Sequence, residues 1–208
     1  MTSVTAARIK SFAPKARDDL VKAIVDGWPA AEAAGINTPL RTQHFFAQIA
    51  TETGGFKAIA ENLNYSVDGL RNTFNKARIS DAQCNKLGRS PGRSADQEGI
   101  ANQVYGGKWG EKNLGNTQAD DGWSYRGSGF IQTTGRSNFR ACGQEDNPDS
   151  LRTPDLGFAA AVTFWTDHVI NKPADKDDVT EVRRKINPGL AGLDHAEAFL
   201  KRAKKIFV

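Results

Sequence analysis

The segment NTPLRTQHFFAQIATETGG, residues 37–55, most narrows what this chain can fold into. Thr38 stands where a helix N-cap would, Pro39 takes the first helical position, Leu40, Ala47, Ile49 and Ala50 supply apolar residues, and Gly54-Gly55 end the run. Proline is at home in a first turn because its missing N–H would have no intrahelical partner there. Glycines stop a helix because they enter left-handed conformations at little steric cost. Three further segments use the same signals. SADQEGIANQVYGG (94–107) opens with capping-box spacing, Ser94 with Gln97, and closes at Gly106-Gly107. TPDLGFAAAVTFWTDHV (153–169) repeats the Thr-Pro opening and is apolar enough for a buried helix. DHAEAFLKRAKKIFV (194–208) starts with Asp194 and Glu197 in capping-box spacing and places Ala196, Phe199, Leu200, Ala203, Ile206 and Phe207 on one face, with Lys201, Arg202, Lys204 and Lys205 on the other. The glycine-rich stretch GNTQADDGWSYRGSGFIQTTG (115–135) alternates aromatic and β-branched residues and reads as a small β-hairpin or an irregular segment. The expectation is a mainly α fold with a glycine-rich middle.

A chain of 208 residues suits one domain, or one domain with a small lobe. The longest mostly apolar run, residues 157–165, falls far short of the roughly 20 residues a membrane-spanning helix needs. The N-terminal residues lack the apolar core of a secretory signal, so synthesis without a signal peptide, in the cytoplasm, is expected. Cys84 and Cys142 read as free thiols, and no Cys/His cluster has metal-ligand spacing, so neither metal nor cofactor is expected. Twenty-eight basic against 24 acidic residues give a net charge of +4, which favours anionic polymers without naming one. A nucleic-acid partner is not expected: no known motif is present, and the basic residues are scattered except at 201–205, where a solvated helix face explains them.

Two glutamates, Glu52 and Glu61, flank the Gly54-Gly55 break. Glu52 is expected at the C-terminal end of its helix, where exposed carbonyls disfavour an ionised carboxylate and suit a proton donor. Glu61, beside Asn62, Asn64, Tyr65 and Ser66 as candidate hydrogen-bond partners, is the better candidate to stay ionised. Two carboxyls in contrasting environments are what cleavage of a glycosidic bond requires: one protonates the leaving oxygen while the other activates water or attacks the sugar. DGWSYRGSGFIQ (121–132) adds glycines that let a ligand approach the backbone and Trp123 and Tyr125, whose flat faces suit sugar rings; Gln132 and Thr134 add hydrogen-bonding groups.

The motifs ETGGF (52–56), ENLNYSVDGLRNTF (61–74), IANQVYGGKWG (100–110), DGWSYRGSGFIQTTGRSNF (121–139) and VRRKINPGLAGL (182–193) occur in one order, and through them the chain resembles the chitinase-like glycoside hydrolases of family 19, among them single-domain phage endolysins that cut peptidoglycan. The resemblance covers nearly the whole chain from about residue 37. It implies a lysozyme-like, two-lobed helical fold flanking a cleft, with residues 1–208 as a single catalytic domain, and an inverting mechanism without a metal. By position it makes Glu52 the general acid, Glu61 the general base, and Thr134 the residue that helps hold the attacking water. It also assigns Gln132, Asn138 and Asn187 to the sugar chain and lines the cleft with Tyr65; Trp123 is taken as a sugar-facing aromatic from its own chemistry.

Three positions depart from the family pattern: Thr51 replaces a common histidine, Pro188 interrupts a common Asn-Gly-Gly, and Phe139 replaces a frequent tyrosine. The expected activity is lysozyme-type hydrolysis of β-1,4 bonds between amino sugars in peptidoglycan glycan strands, leading to bacterial lysis. Chitin is the rival substrate, and a non-catalytic wall-binding protein the rival class. A monomer is expected, acting in the periplasm after release through a phage-encoded pore. The basic face of the last helix is expected to make at most a weak contact with anionic membrane.

Overall fold

The computed structural model describes residues 3–208, and helices take up 60% of the chain. In order they are α1 (Ala6–Phe12), α2 (Asp18–Ala33), α3 (Pro39–Glu52), α4 (Val67–Thr73), α5 (Asp81–Leu87), α6 (Gln97–Val104), α7 (Gly107–Leu114), α8 (Asp121–Ser124), α9 (Arg136–Ala141), α10 (Pro154–Asp167), α11 (Asn171–Asp175), α12 (Val179–Ile186) and α13 (Leu193–Ile206). A 3-10 turn, Pro148–Arg152, precedes α10. The chain divides into two compact units. One takes in the chain up to Ile59, Gly129–Gln132 and Ser150–Val208; the other takes in Ala60–Ser128 and Thr133–Asp149.

The first unit is built around α3. Thr38 caps it by accepting the Arg41 N–H (3.3 Å), and every residue from Thr42 to Ala50 is buried. α13 lies along α3, where the Phe46 and Phe207 rings stack with centroids 4.1 Å apart and the Gln43 side chain donates to the Phe207 carbonyl (2.7 Å). α2 packs on α10, and Phe12, Phe45, Phe56, Phe130, Phe158 and Trp165 complete an aromatic-rich core. The last helix is therefore docked by its apolar face, but Phe199 is only partly buried, whereas Phe207 is fully so. Its basic face is not uniformly free: Arg202 donates to the Phe12 carbonyl (2.9 Å) and Lys204 pairs with Asp177.

The second unit has a smaller core of Leu63, Leu70, Ile79, Cys84, Ile100, Ala101 and Val104. α6 and α8 approach so closely that a Cβ on Gly122 would lie 2.3 Å from the Ala101 carbonyl oxygen, so only glycine fits there. Asp121 is buried; its carboxylate accepts the Thr117 and Gln118 amides (2.8 and 2.9 Å) and pairs with Arg136 (2.5 Å).

Those bonds decide the glycine-rich stretch. They turn the chain into α8 where alternation suggested a strand, and the hairpin reading gives way to an irregular segment. Ser128 and Thr133 exchange one pair of backbone hydrogen bonds (3.0 and 2.8 Å), which is an isolated bridge and not a strand pair. Two helix starts also differ from expectation. α6 is capped by Asp96, which accepts the Gly99 N–H (2.9 Å), because the Gln97 side chain is taken by the distant Leu63 amide (3.0 Å). α13 begins after Gly192, in a left-handed conformation, with no side-chain cap. The described residues do contain a complete capping box, at Ser80 and Gln83 of α5.

Candidate active site

Glu52 is the last residue of α3, and the chain leaves the helix through Gly54 and Gly55, both at positive φ (60° and 78°), with the Gly55 amide bonded back to the Ala50 carbonyl (2.7 Å). Its side chain is 15% exposed and lies 2.6 Å from Nη1 of Arg183, which is 3% exposed. Arg183 comes from α12 and is itself fixed: Nε donates to the Ala191 carbonyl (2.8 Å) and Nη1 to Oε1 of the buried Gln48 (3.1 Å). Gln48 precedes Glu52 by four residues on α3, so both project from one face of the helix.

Burial pushes the Glu52 carboxyl above the usual carboxylate range, and the guanidinium opposes that shift without cancelling it. The direction is the one expected of a proton donor. Its leading cause, however, is removal from water, where the sequence pointed to helix-terminal carbonyls.

Glu61, in the second unit, accepts on both oxygens: from the Tyr105 hydroxyl at Oε1 (2.7 Å) and from the Gly127 amide at Oε2 (3.1 Å). Its own amide donates to the Gly127 carbonyl (2.8 Å), which ties the two segments together. These partners replace the ones expected next to it in sequence. The Asn62 side chain accepts from the Asn64 amide (3.0 Å) and Ser66 caps α4, so their acceptor oxygens are engaged by local turns. Burial beside the Glu61 carboxylate pushes the Tyr105 phenol above its usual range, which keeps it protonated as a donor. Tyr65 is half-buried, edge-on to Phe74 (5.5 Å), and its phenol is pushed up by burial and by the Glu61 charge.

The remaining positions are placed as follows. The Asn138 side chain donates to the Thr134 carbonyl (2.7 Å), which joins those two residues. Trp123 is partly exposed, with the Arg126 guanidinium 3.7 Å over its ring. Tyr125 is buried and packs edge-on to Phe139 (5.2 Å), a core role and not a sugar-facing one. In the first unit Asn187 ends α12, one turn beyond Arg183, and accepts from the Gly189 amide (3.1 Å). Gln132 sits at positive φ (51°) and donates to the Gly129 carbonyl (3.0 Å). Gln48, Tyr105 and Arg183 lie within the segments quoted from the sequence but take no role from it, because each reaches its glutamate or that glutamate's partner from far along the chain. Among the described residues no three His, Cys, Asp or Glu side chains gather as a metal would require.

Solved structures share this fold. Chitinase C from Streptomyces griseus superposes with a TM-score of 0.60 over 98% of this chain and 76% of its own, at 17% identity. A point mutant of chitinase C gives a TM-score of 0.55 at 15% identity, with the same coverage. At these identities the likeness defines the fold. A protein from Haemophilus influenzae described as a glycosyl hydrolase family 19 domain-containing protein is 36% identical over 168 residues, 78% of each chain. The chain belongs to glycosyl hydrolase family 19 and is a glycoside hydrolase. No family model matches it.

Proposed function

We propose that this enzyme cleaves β-1,4 glycosidic bonds between the amino sugars of peptidoglycan glycan strands, as an endolysin does, by an inverting general acid–base reaction. Glu52 protonates the leaving glycosidic oxygen. Glu61 takes a proton from the water that attacks the anomeric carbon, and Thr134 helps hold that water. Tyr65, Trp123, Gln132, Asn138 and Asn187 contact the sugar chain.

The observation that carries this reading is the Glu52 carboxyl: mostly withdrawn from water at a helix end, with its pKa raised, yet anchored by Arg183. A carboxyl shifted in this direction keeps its proton to higher pH than a free glutamate does, as a proton donor requires. After donation the developing carboxylate meets a fixed guanidinium, which stabilises it. Glu61 has the complementary setting, an acceptor oriented by two donors. The choice of peptidoglycan over chitin rests on the net charge of +4, which favours an acidic wall polymer. Chitin is the second reading, favoured by the fold shared with chitinase C.

Purified cell walls and chitin, assayed side by side for new reducing ends, test both. Wild type is expected to cut walls, and Glu52→Gln and Glu61→Gln are each expected to lose about two to four orders of magnitude while keeping the wild-type fold. Activity on chitin alone overturns the substrate, and full activity in either variant overturns the assignment of that residue.

A further inference from the structure

The second unit holds an aromatic platform that the proposed mechanism does not use. Trp109, on α7, keeps 39% of its surface exposed, while one side of its indole is pinned by the Arg78 guanidinium, 3.8 Å from the ring centroid. Arg78 is fixed in turn, with Nε donating to the Val104 carbonyl (2.8 Å). A large aromatic side chain that is both rigid and exposed presents a flat apolar face at little entropic cost, which suits the face of a pyranose ring.

Trp109 borders a cavity of about 250 Å³, the scale of a single sugar residue. Its lining is mainly polar, and no acidic side chain contributes to it. Asn102 contributes a side-chain amide whose oxygen is used by the Trp123 backbone N–H (2.7 Å) and whose nitrogen meets no hydrogen-bond acceptor among the described residues. Lys108, exposed on the rim, makes no ion pair among the described residues. The cavity therefore offers hydrogen-bond donors and a positive charge beside an apolar wall. A neutral N-acetylated sugar satisfies the wall and the amide donor; an N-acylated sugar that also bears a carboxylate satisfies the positive charge as well.

The platform also adjoins Glu61: the same Arg78 guanidinium lies 5.4 Å from the ring of Tyr105, whose hydroxyl donates to that carboxylate. We propose that Trp109, Asn102 and Lys108 form a saccharide subsite for an acidic N-acetylated sugar, the indole stacking on the ring and Lys108 and Asn102 taking the carboxylate and acyl oxygens. The inference rests on the wall-glycan reading and sharpens it, because such a subsite fits muramyl residues whose lactyl carboxyl is free of a stem peptide and sets them apart from neutral chitin.

Calorimetric titration tests it with two probes: the disaccharide of N-acetylglucosamine and N-acetylmuramic acid, which has a free lactyl carboxylate, and neutral tri-N-acetylchitotriose. Trp109→Ala is expected to weaken both by about tenfold, and Trp109→Phe to restore most of the loss. Lys108→Gln is expected to weaken only the acidic disaccharide and to flatten its salt dependence. Wild-type affinity of Trp109→Ala for both probes overturns the subsite, and unchanged affinity of Lys108→Gln for the acidic probe overturns its specificity. Thermal melts of Trp109→Phe and Lys108→Gln accompany the titrations, and wild-type melting in both ties any binding change to the site. If the subsite alone is wrong, the wild type still clears cell walls; if the wall-glycan reading is wrong, it neither binds the disaccharide nor clears walls.

Discussion

Replacing Arg183 by methionine, which keeps most of the side-chain volume and removes the charge, separates electrostatics from packing at Glu52. The guanidinium is 3% exposed and the Glu52 carboxyl 15% exposed, so water does little to replace the lost partner. Stranding a buried carboxylate in this way costs about 3–5 kcal/mol at pH 7.5. At pH 4.5 more of this carboxyl is protonated, because its pKa is raised and removing Arg183 raises it further, so the charge penalty shrinks. What remains is the loss of the bonds to Gln48 and the Ala191 carbonyl, about 1–2 kcal/mol together.

The sign follows from linkage. Because the folded-state pKa of Glu52 lies above its unfolded value, the folded protein holds this proton longer. Its stabilising contribution is complete below about pH 4.3 and falls as pH rises through the folded value. Removing Arg183 takes away the group that opposes the shift, so the decline extends to higher pH in the variant. Urea unfolding of both proteins at pH 4.5 and 7.5, followed by circular dichroism, measures the difference. A loss of equal size at the two pH values refutes this reasoning and makes Arg183 a packing residue.

Two further outcomes follow from particular contacts. Tyr105→Phe removes the 2.7 Å hydrogen bond to Glu61 without removing the ring, and the hydrolysis rate is expected to drop about tenfold to a hundredfold with unchanged melting, as loss of a hydrogen bond to a charged group implies; an unaltered rate shows that the phenol does not orient the base. Gly122→Ala forces a methyl against the Ala101 carbonyl and is expected to destabilise by about 1–3 kcal/mol in urea unfolding, whereas neutrality means that α6 and α8 are not held in this close approach.

Local chemistry announced the helices it controls. At α3 the Thr38 cap, Pro39 and the two glycines at positive φ act within a few residues of one another, and the structure uses each as the sequence suggested. α10 likewise starts at Pro154. Where the deciding partner is remote, the same signals mislead. The Ser94–Gln97 spacing does not cap α6, because Leu63 claims Gln97 from 34 residues away. The glycine-rich middle fails as a hairpin because the Asp121 carboxylate, paired with Arg136, gathers two amides into a turn. No expectation attached to α2, whose interior Pro29 argues against a helix; the buried Leu20, Val21, Ile24 and Trp28 packed in the core outweigh it.

The candidate site divides in the same way. Glu52 and Glu61 stand out as motif residues on either side of a glycine turn. The groups that set their chemistry do not, since Gln48 meets Arg183 across 135 positions and Tyr105 meets Glu61 across 44. Nothing periodic in the chain links such pairs, and only packing brings them together.

Digestion of purified peptidoglycan, with reducing sugar ends and free amino groups counted in the same samples, bears most directly on the proposal that this glycoside hydrolase cuts wall glycan. New reducing ends rising in step with clearing of the wall, and no freed amines, are the predicted result. Amines released without reducing ends would contradict it.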